Sequence, residues 1–153
     1  MYSDDYMKFA MKMAEIAFTQ DEVPVGAVVV KNGEVIGKGF NKVIQNNSVS
    51  SHAEILAINN ASNKIKNYRL INCEMYVTLE PCHMCAKAIV DARIDNLYFG
   101  ALEPKTGAIQ SVDQFLERLD LNHRVRYSGG HMEEDSSDLL RKFFNSKRKK
   151  NSF

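Results

Sequence analysis

The sequence predicts an α/β fold, a three-layer α/β/α sandwich around a mixed central sheet of about five strands. Three observations favour this class. Stretches with helical periodicity alternate with short apolar runs along the chain. The strong hairpin signal Asn32-Gly33 lies between two such runs and predicts an antiparallel pair. A strand-helix-strand succession within residues 74–99 predicts a parallel pair joined by a right-handed crossover.

The elements are justified in order along the chain. Ser3 is suited to cap a first helix that runs to about Phe18, with apolar residues at core spacing. Residues 25–30 and 34–39 form the hairpin, and a polar loop over 40–51 leads to a second helix that ends before residue 63. A strand over 74–78, a helix from Cys82 to about Ala92 and a strand over 94–99 form the crossover. A short helix near 112–119, a strand at 125–128 and a helix from about Glu133 complete the chain.

Length and composition indicate one domain over residues 1–153 with a basic C-terminal helix and tail from about residue 133. No apolar run approaches the ~20 residues of a membrane span and no signal peptide is apparent, so we expect a cytoplasmic protein with no membrane partner. Three cysteines do not suggest a secreted disulfide framework. The net charge of +1 predicts no strong global attraction to nucleic acid. Residues 141–150 nevertheless hold six basic side chains and no acid, which either contact nucleic acid or only complement the helix dipole.

Three metal-binding side chains and one acid form the most informative pattern. His52 and Glu54 are followed, thirty positions after His52, by Cys82 and then by Cys85. One imidazole and two thiolates suit Zn²⁺, and three protein ligands leave a position for water, as in catalytic zinc sites. Two cysteines three residues apart lie about 60° apart around a helix and can converge on one ion.

The same residues predict how the two helices begin. Pro81 is expected at the first helical position, where its missing amide hydrogen is tolerated. His52 and Glu54 would diverge by roughly 200° inside one regular helix, so His52 is expected at the very start of its helix. Ser50 or Ser51 is then the expected N-cap.

Non-catalytic interpretations of these residues are also compatible with the sequence. Cys82 and Cys85 alone are also typical of a redox pair, and Cys73 as a fourth ligand would make the zinc site structural. Cys73 stands at the head of an apparent strand, however, where small buried cysteines are common. His83 lies between the ligands and turns away from them on a helix, so a surface role is favoured.

The His-x-Glu and Pro-Cys-x-x-Cys pattern resembles that of zinc-dependent nucleobase deaminases. Four further blocks extend the likeness, and nearly the whole chain resembles bacterial tRNA adenosine deaminases. These blocks are Glu22–Val28, Asn67–Leu70, Lys105–Gly107 and Asn122–Val125, and the segment Val77–Cys82, which leads into the Pro-Cys-x-x-Cys pattern, is similar as well. The resemblance implies a cytidine deaminase-like fold, a homodimer, and conversion of the wobble adenosine in a tRNA anticodon stem-loop to inosine.

The resemblance also implies roles for individual residues. His52, Cys82 and Cys85 would bind one zinc ion per subunit, and Glu54 would shuttle protons. Asn41 and the Ala53 amide would bind the purine base. Phe144 would form an aromatic wall of the pocket, and Arg148 would contact phosphate. Glu103 and Lys105 complete the set of six predicted substrate-binding residues. Glu103 stands where the family usually has Asp, a carboxylate that touches the sugar of the flipped nucleotide, so the extra methylene puts this contact in question.

Two other functions remain compatible with the pattern. A deaminase of a free nucleobase or nucleoside, such as guanine, cytosine or cytidine, would share the zinc machinery without needing the basic tail or the Asn122-His123-Arg124 loop. A non-catalytic RNA-binding zinc module would instead close the metal shell with four protein ligands.

Overall fold

The computed structural model describes residues 1–150 and confirms the predicted α/β class. Five strands form one mixed sheet in the order β2-β1-β3-β4-β5. The elements are α1 (Asp4–Thr19), β1 (Gly26–Lys31), β2 (Glu34–Phe40), α2 (Ala53–Ile65), β3 (Cys73–Leu79), α3 (His83–Asp91), β4 (Asn96–Ala101), β5 (Arg126–Ser128) and α4 (Glu133–Lys150).

The hairpin and the crossover both form as predicted. Asn32 and Gly33 adopt positive φ angles of 50° and 76°, as a tight turn between twisted antiparallel strands requires. β1 pairs antiparallel with β2 on one side and with β3 on the other. β3 and β4 are parallel, with α3 as the connection between them, and β5 extends the parallel part.

Helices cover both faces of the sheet and so produce three layers. Successive strand residues point to opposite faces: Val29 and Met75 belong to the core under α2 and α3, whereas Val28 and Tyr76 pack against α1. α4 lies on the α1 side, where its Phe143 ring packs edge-on against Phe18. Ser136 of α4 donates a hydrogen bond to the Thr78 carbonyl at the end of β3.

Close packing sets where α2 begins. A Cβ atom at Gly39 of β2 would lie 2.6 Å from the Ala53 carbonyl oxygen and 2.7 Å from the Ala57 amide nitrogen. Only glycine therefore allows α2 to lie this close to the strand. The start of α2 is held against the sheet end from which the functional site is built.

The helix predicted near residues 112–119 is wrong, because only Phe115–Glu117 form a single 3-10 turn. Other hydrogen bonds replace the helical ones: the Phe115 amide donates to the Ala108 carbonyl, and the Asp113 carboxylate accepts from the adjacent Gln114 amide and contacts His83. No helix within residues 1–150 combines the length and the apolarity needed to cross a bilayer. Residues 151–153 of the predicted basic tail lie outside the described residues.

Candidate metal and substrate site

His52 and Cys82 each occupy the N-cap of a helix. His52 precedes α2 with φ −77° and ψ 153°, and Cys82 precedes α3 with φ −77° and ψ 177°. The predicted caps at Ser50 or Ser51 are therefore wrong by one or two residues, and Pro81 lies two residues before the first helical position, His83. Neither cap side chain makes the side-chain cap hydrogen bond that a serine would make. Both side chains are directed at each other instead.

Three ligand atoms converge between these helix starts. His52 Nδ1 lies 3.7 Å from Cys82 Sγ and 3.5 Å from Cys85 Sγ, and all three atoms lie within 4.8 Å of one another. Zinc bonds of about 2.0 Å to nitrogen and 2.3 Å to sulfur separate tetrahedral ligand atoms by roughly 3.5 Å. The spacing and the donor types therefore fit Zn²⁺.

The two cysteines have opposite pKa shifts. A hydrogen bond from Cys85 lowers the pKa of Cys82 to about 4, and the same bond raises the pKa of Cys85. A lowered pKa favours the thiolate form of Cys82, which is the form that binds a metal. A zinc ion bound between the two sulfurs would displace the proton of Cys85 as well, which is how metal binding releases protons.

Cys73 and His83 stay outside this group. Cys73 is buried at the head of β3, where its thiol contacts the Ile71 carbonyl, and burial raises its pKa. His83 is exposed, and its Nε2 lies 2.8 Å from an Asp113 carboxylate oxygen. Among the described residues, the ligand group therefore has three members, as a site with room for water requires.

Glu54 is a buried acid beside the ligands. It is 4% exposed in the first turn of α2, and burial raises its pKa to about 7 despite opposing hydrogen bonds. A carboxyl group poised near neutrality can both accept and return a proton. The arrangement suits acid–base chemistry at an atom held next to the metal.

Asn41 supports the start of α2. Its Oδ1 accepts a hydrogen bond of 2.8 Å from the Ala53 amide, one of the orphan donors of a helix N-terminus. The amide that the resemblance assigns to the base thus already has a partner. A contact between Ala53 and a purine would require this hydrogen bond to be shared or broken.

A cavity of about 450 Å³ opens beside the metal-ligand group, large enough for one nucleoside. Its lining comes mainly from α2, α4 and the loops and helix caps around them, and includes Glu22, Asn41, Ile44, His52, Glu54, Glu80, Cys82, Glu103, Thr106, Phe143 and Lys147. The structure thus brings together the predicted acid, two of the predicted ligands, Asn41 and Glu103.

Other predicted substrate residues lie outside the lining of this cavity. Phe143, 5% exposed, faces the cavity, whereas Phe144 is 44% exposed and does not line it. Lys105 and Arg148 are exposed as well. Whether these three residues contact a larger substrate stays a prediction.

Two buried acids hold the loops that wall the cavity, a role that the sequence did not assign to them. Glu22 accepts hydrogen bonds from the Ile44 and Gln45 amides, at 3.1 and 2.8 Å, in the loop that follows Asn41. Glu80 binds the 103–111 loop, and the hydrogen bonds lower its pKa although burial opposes this. Glu22 begins one of the blocks of resemblance and Glu80 shortly precedes Cys82, but neither position reveals a hydrogen-bond partner.

Comparison with known proteins agrees with this geometry. The MafB19-like deaminase family matches residues 1–148. The tRNA-specific adenosine deaminase of Aquifex aeolicus is 44% identical over 94% of this chain and 95% of its own length, and that of Haemophilus influenzae is 42% identical over 96% and 86%. A solved structure from a study of A-to-I editing by tRNA:A34 deaminases superposes with a TM-score of 0.87 at 40% identity, covering 90% of this chain and 99% of that one. The chain therefore belongs to the MafB19-like deaminase family and, with these relatives, to the tRNA-specific adenosine deaminases.

Proposed function

We propose that the protein hydrolytically deaminates adenosine to inosine at the wobble position of a tRNA anticodon. The observation that carries this proposal is the placement of three metal-ligand atoms and the buried Glu54 beside one nucleoside-sized cavity. The names of its relatives point to the same substrate. The flipped base leaves its stack most readily in a loop such as an anticodon.

His52, Cys82 and Cys85 would hold one zinc ion per chain. Zinc bound there would acidify a water molecule and so supply the nucleophile that attacks the amino-bearing carbon of the purine. The donor set, one nitrogen and two sulfurs, favours zinc over hard cations such as Mg²⁺. Two thiolates offset the charge of the ion, which makes a nearby base more important for activating water.

Glu54 would move the protons of the reaction. It would accept one proton from the attacking water and deliver it to the neighbouring ring nitrogen. It would then take the second proton from the hydroxyl group added to the carbon and pass it to the amino group, so that the carbon–nitrogen bond breaks, ammonia leaves and the carbonyl forms. A raised pKa suits this double role, because the same carboxyl must bind and release a proton within one turnover. Burial also keeps bulk water from competing for that proton.

The remaining predicted residues would bind the nucleotide and the RNA. We assign Asn41 and the Ala53 amide to the base, and Glu103 to the sugar. Lys105, Phe144 and Arg148 would contact the anticodon outside the cavity, which is consistent with their exposed positions. The Glu103 side chain already accepts a hydrogen bond from the Lys105 amide, so any sugar contact must use the rest of the carboxylate.

We also propose that the protein is a cytoplasmic homodimer. Exposed apolar side chains near α3 and the adjoining loops are consistent with a partner surface; they include Tyr68, Ile71, Met84, Leu102 and Val112. Light scattering coupled to size exclusion measures the assembly directly. A monomer at micromolar concentration would contradict this part of the proposal.

The activity is tested with an anticodon stem-loop that carries adenosine at the wobble position. Inosine formation is measured by liquid chromatography, with a guanosine-substituted hairpin as control and with free adenosine, guanine, cytosine and cytidine as competing substrates. We expect turnover of the adenosine hairpin alone. Turnover confined to the small molecules would favour a nucleobase or nucleoside deaminase instead.

A further inference from the structure

Glu80 is a buried charged side chain for which the proposed chemistry has no use. It is 2% exposed and follows the last residue of β3. Its backbone amide donates to the Ala101 carbonyl at the end of β4, so its own position is set by the sheet. Its carboxylate is hydrogen-bonded to a single loop, residues 103–111.

Five donors of that loop surround the Glu80 carboxylate. Oε2 accepts three backbone amides at 2.7–3.0 Å, and Oε1 accepts one amide at 3.0 Å together with a hydroxyl group. The amides belong to Glu103, Ile109, Gln110 and Ser111, and the hydroxyl to Ser111. A buried carboxylate is tolerated only when its oxygens are fully hydrogen-bonded, and bonds to a charged acceptor are the stronger kind.

The loop packs directly on this side chain. A Cβ atom at Gly107 would lie 2.4 Å from the Glu80 Cδ atom, so glycine is required for the close approach. The next residue, Ala108, donates its amide to the Pro81 carbonyl at 2.8 Å. The loop is therefore attached to Glu80 and Pro81 at several successive residues.

This attachment connects the segment that carries a candidate metal ligand with the loop that forms one wall of the cavity. Cys82 follows Glu80 and Pro81 directly, and Glu103 and Thr106 of the attached loop line the same cavity as Cys82. A shift of the loop would move these side chains relative to the ligand group.

We propose that Glu80 is a positioning residue: its carboxylate holds the 103–111 loop against the turn that carries Cys82. This contact sets where Glu103 and Thr106 meet the bound nucleotide. The role of the loop in binding rests on the proposed function, whereas the attachment itself does not. Because the metal ligands and Glu54 lie on α2 and α3, loosening the loop affects KM more than kcat.

The test compares Glu80→Gln with three other variants. Glu80→Gln keeps the size of the side chain but presents an NH₂ group to the amide donors. Glu80→Asp keeps the charge but is one methylene shorter. Ser111→Ala removes the hydroxyl donor from the loop. Glu34→Gln changes an exposed hairpin carboxylate and is the matched control. Each variant is assayed for zinc content, for kcat and KM on the anticodon hairpin, and for amide hydrogen exchange by NMR.

We expect Glu80→Gln to keep one zinc per chain and to raise KM about tenfold, with kcat lowered by no more than about threefold. Exchange of the amides of residues 109–111 should accelerate at least about tenfold, while that of the core strands is unchanged. Glu80→Asp and Ser111→Ala should give smaller changes in the same direction. Glu34→Gln should match the wild type.

Unchanged exchange at residues 109–111 in Glu80→Gln would overturn the attachment. Faster exchange with unchanged KM and kcat would overturn the positioning role. If Glu80→Gln does not fold, Glu80→Asp and Ser111→Ala are judged by the same two readouts. If the wild type does not deaminate the hairpin, the proposed function fails, and the exchange experiment still decides whether Glu80 holds the loop.

Discussion

The metal end of the cavity and its two substrate-facing walls are built in different ways. The ligands lie at helix starts: His52 and Cys82 are the N-caps of α2 and α3, and Cys85 follows within the first turn. The walls are irregular loops that depend on buried acids distant in sequence. Glu22 holds residues 44 and 45, and Glu80 holds the 103–111 loop.

This difference teaches that one site can be damaged in two separable ways. Helix starts are set mainly by neighbouring residues and by packing against the sheet, so we expect the ligand group to be less sensitive than the walls to changes in the loops. Loop positions depend on a few hydrogen bonds to a buried charge, and each is lost when its acceptor is replaced. We therefore expect one class of variants to lose metal and another to lose affinity for substrate with the metal retained.

The largest effect is expected for Cys85→Ala, which removes a ligand from the metal end. Loss of a group that only hydrogen-bonds to a ligand typically lowers metal affinity by about 10–100-fold. Loss of a ligand itself should lower the zinc affinity by more than that. Dialysed protein analysed by plasma mass spectrometry should contain little zinc and should not form inosine. Cys73→Ala is the control, because its thiol lies outside the ligand group. Loss of zinc from Cys73→Ala would mean that Cys73 is also a zinc ligand.

Glu54→Ala separates chemistry from metal binding at the same end. The variant should retain one zinc per chain, because Glu54 is not one of the three clustered ligands. Its kcat should fall by about 10²–10⁴-fold, the usual contribution of an acid–base group. Single-turnover assays on the hairpin, together with zinc analysis, measure both quantities. Near-normal turnover would show that another group moves the protons.

Glu22→Gln tests the wall opposite the Glu80 loop. Glutamine offers one acceptor oxygen in place of two, so one of the Ile44 and Gln45 amides faces an NH₂ group. We expect KM for the hairpin to rise about fivefold, less than for Glu80→Gln, because fewer donors lose their partner. Zinc content should not change. A loss of zinc would mean that the walls and the metal end are not independent.

Lys147→Ala is expected to have the smallest effect. Lys147 of α4 lines the cavity rim, forms an ion pair with Asp21 and lies 5.4 Å from the centre of the Phe143 ring. Partly exposed ion pairs contribute about 0–1 kcal/mol, so stability and kcat/KM should change by less than about threefold. Hairpin kinetics at two salt concentrations measure this. A change above tenfold would indicate that the ammonium group itself binds RNA.

The order of the main elements and the closeness of Cys82 to Cys85 were readable from the sequence, because both depend on short-range patterns. Asn32-Gly33 predicts a tight hairpin through backbone preference alone, and a spacing of three residues brings Cys82, at the cap of α3, next to Cys85 in its first turn. The helix caps were misplaced by one or two residues because a more distant contact decides them. Hydroxyl caps are the usual solution, but Asn41 satisfies the first amide of α2 from another part of the chain.

The cavity walls were not readable in this way. No local pattern connects Glu22 with Gln45 or Glu80 with Ser111, because their hydrogen bonds join residues more than twenty positions apart. The same holds for Phe143 and Phe144, adjacent aromatic residues of which only Phe143 faces the cavity. Which of them does so depends on the rotation of α4 against α1, where Phe143 meets Phe18.

The sequence by itself determined which side chains could hold a metal: one imidazole, a neighbouring acid, and two cysteines at a spacing that helix geometry brings together. The tertiary structure alone decided the shape of the substrate cavity and which charged side chains are buried to hold its walls. The physical reason is the range of the forces involved. Helix and turn geometry follow from a few adjacent residues, whereas a buried carboxylate is stable only where folding brings distant amides to its oxygens.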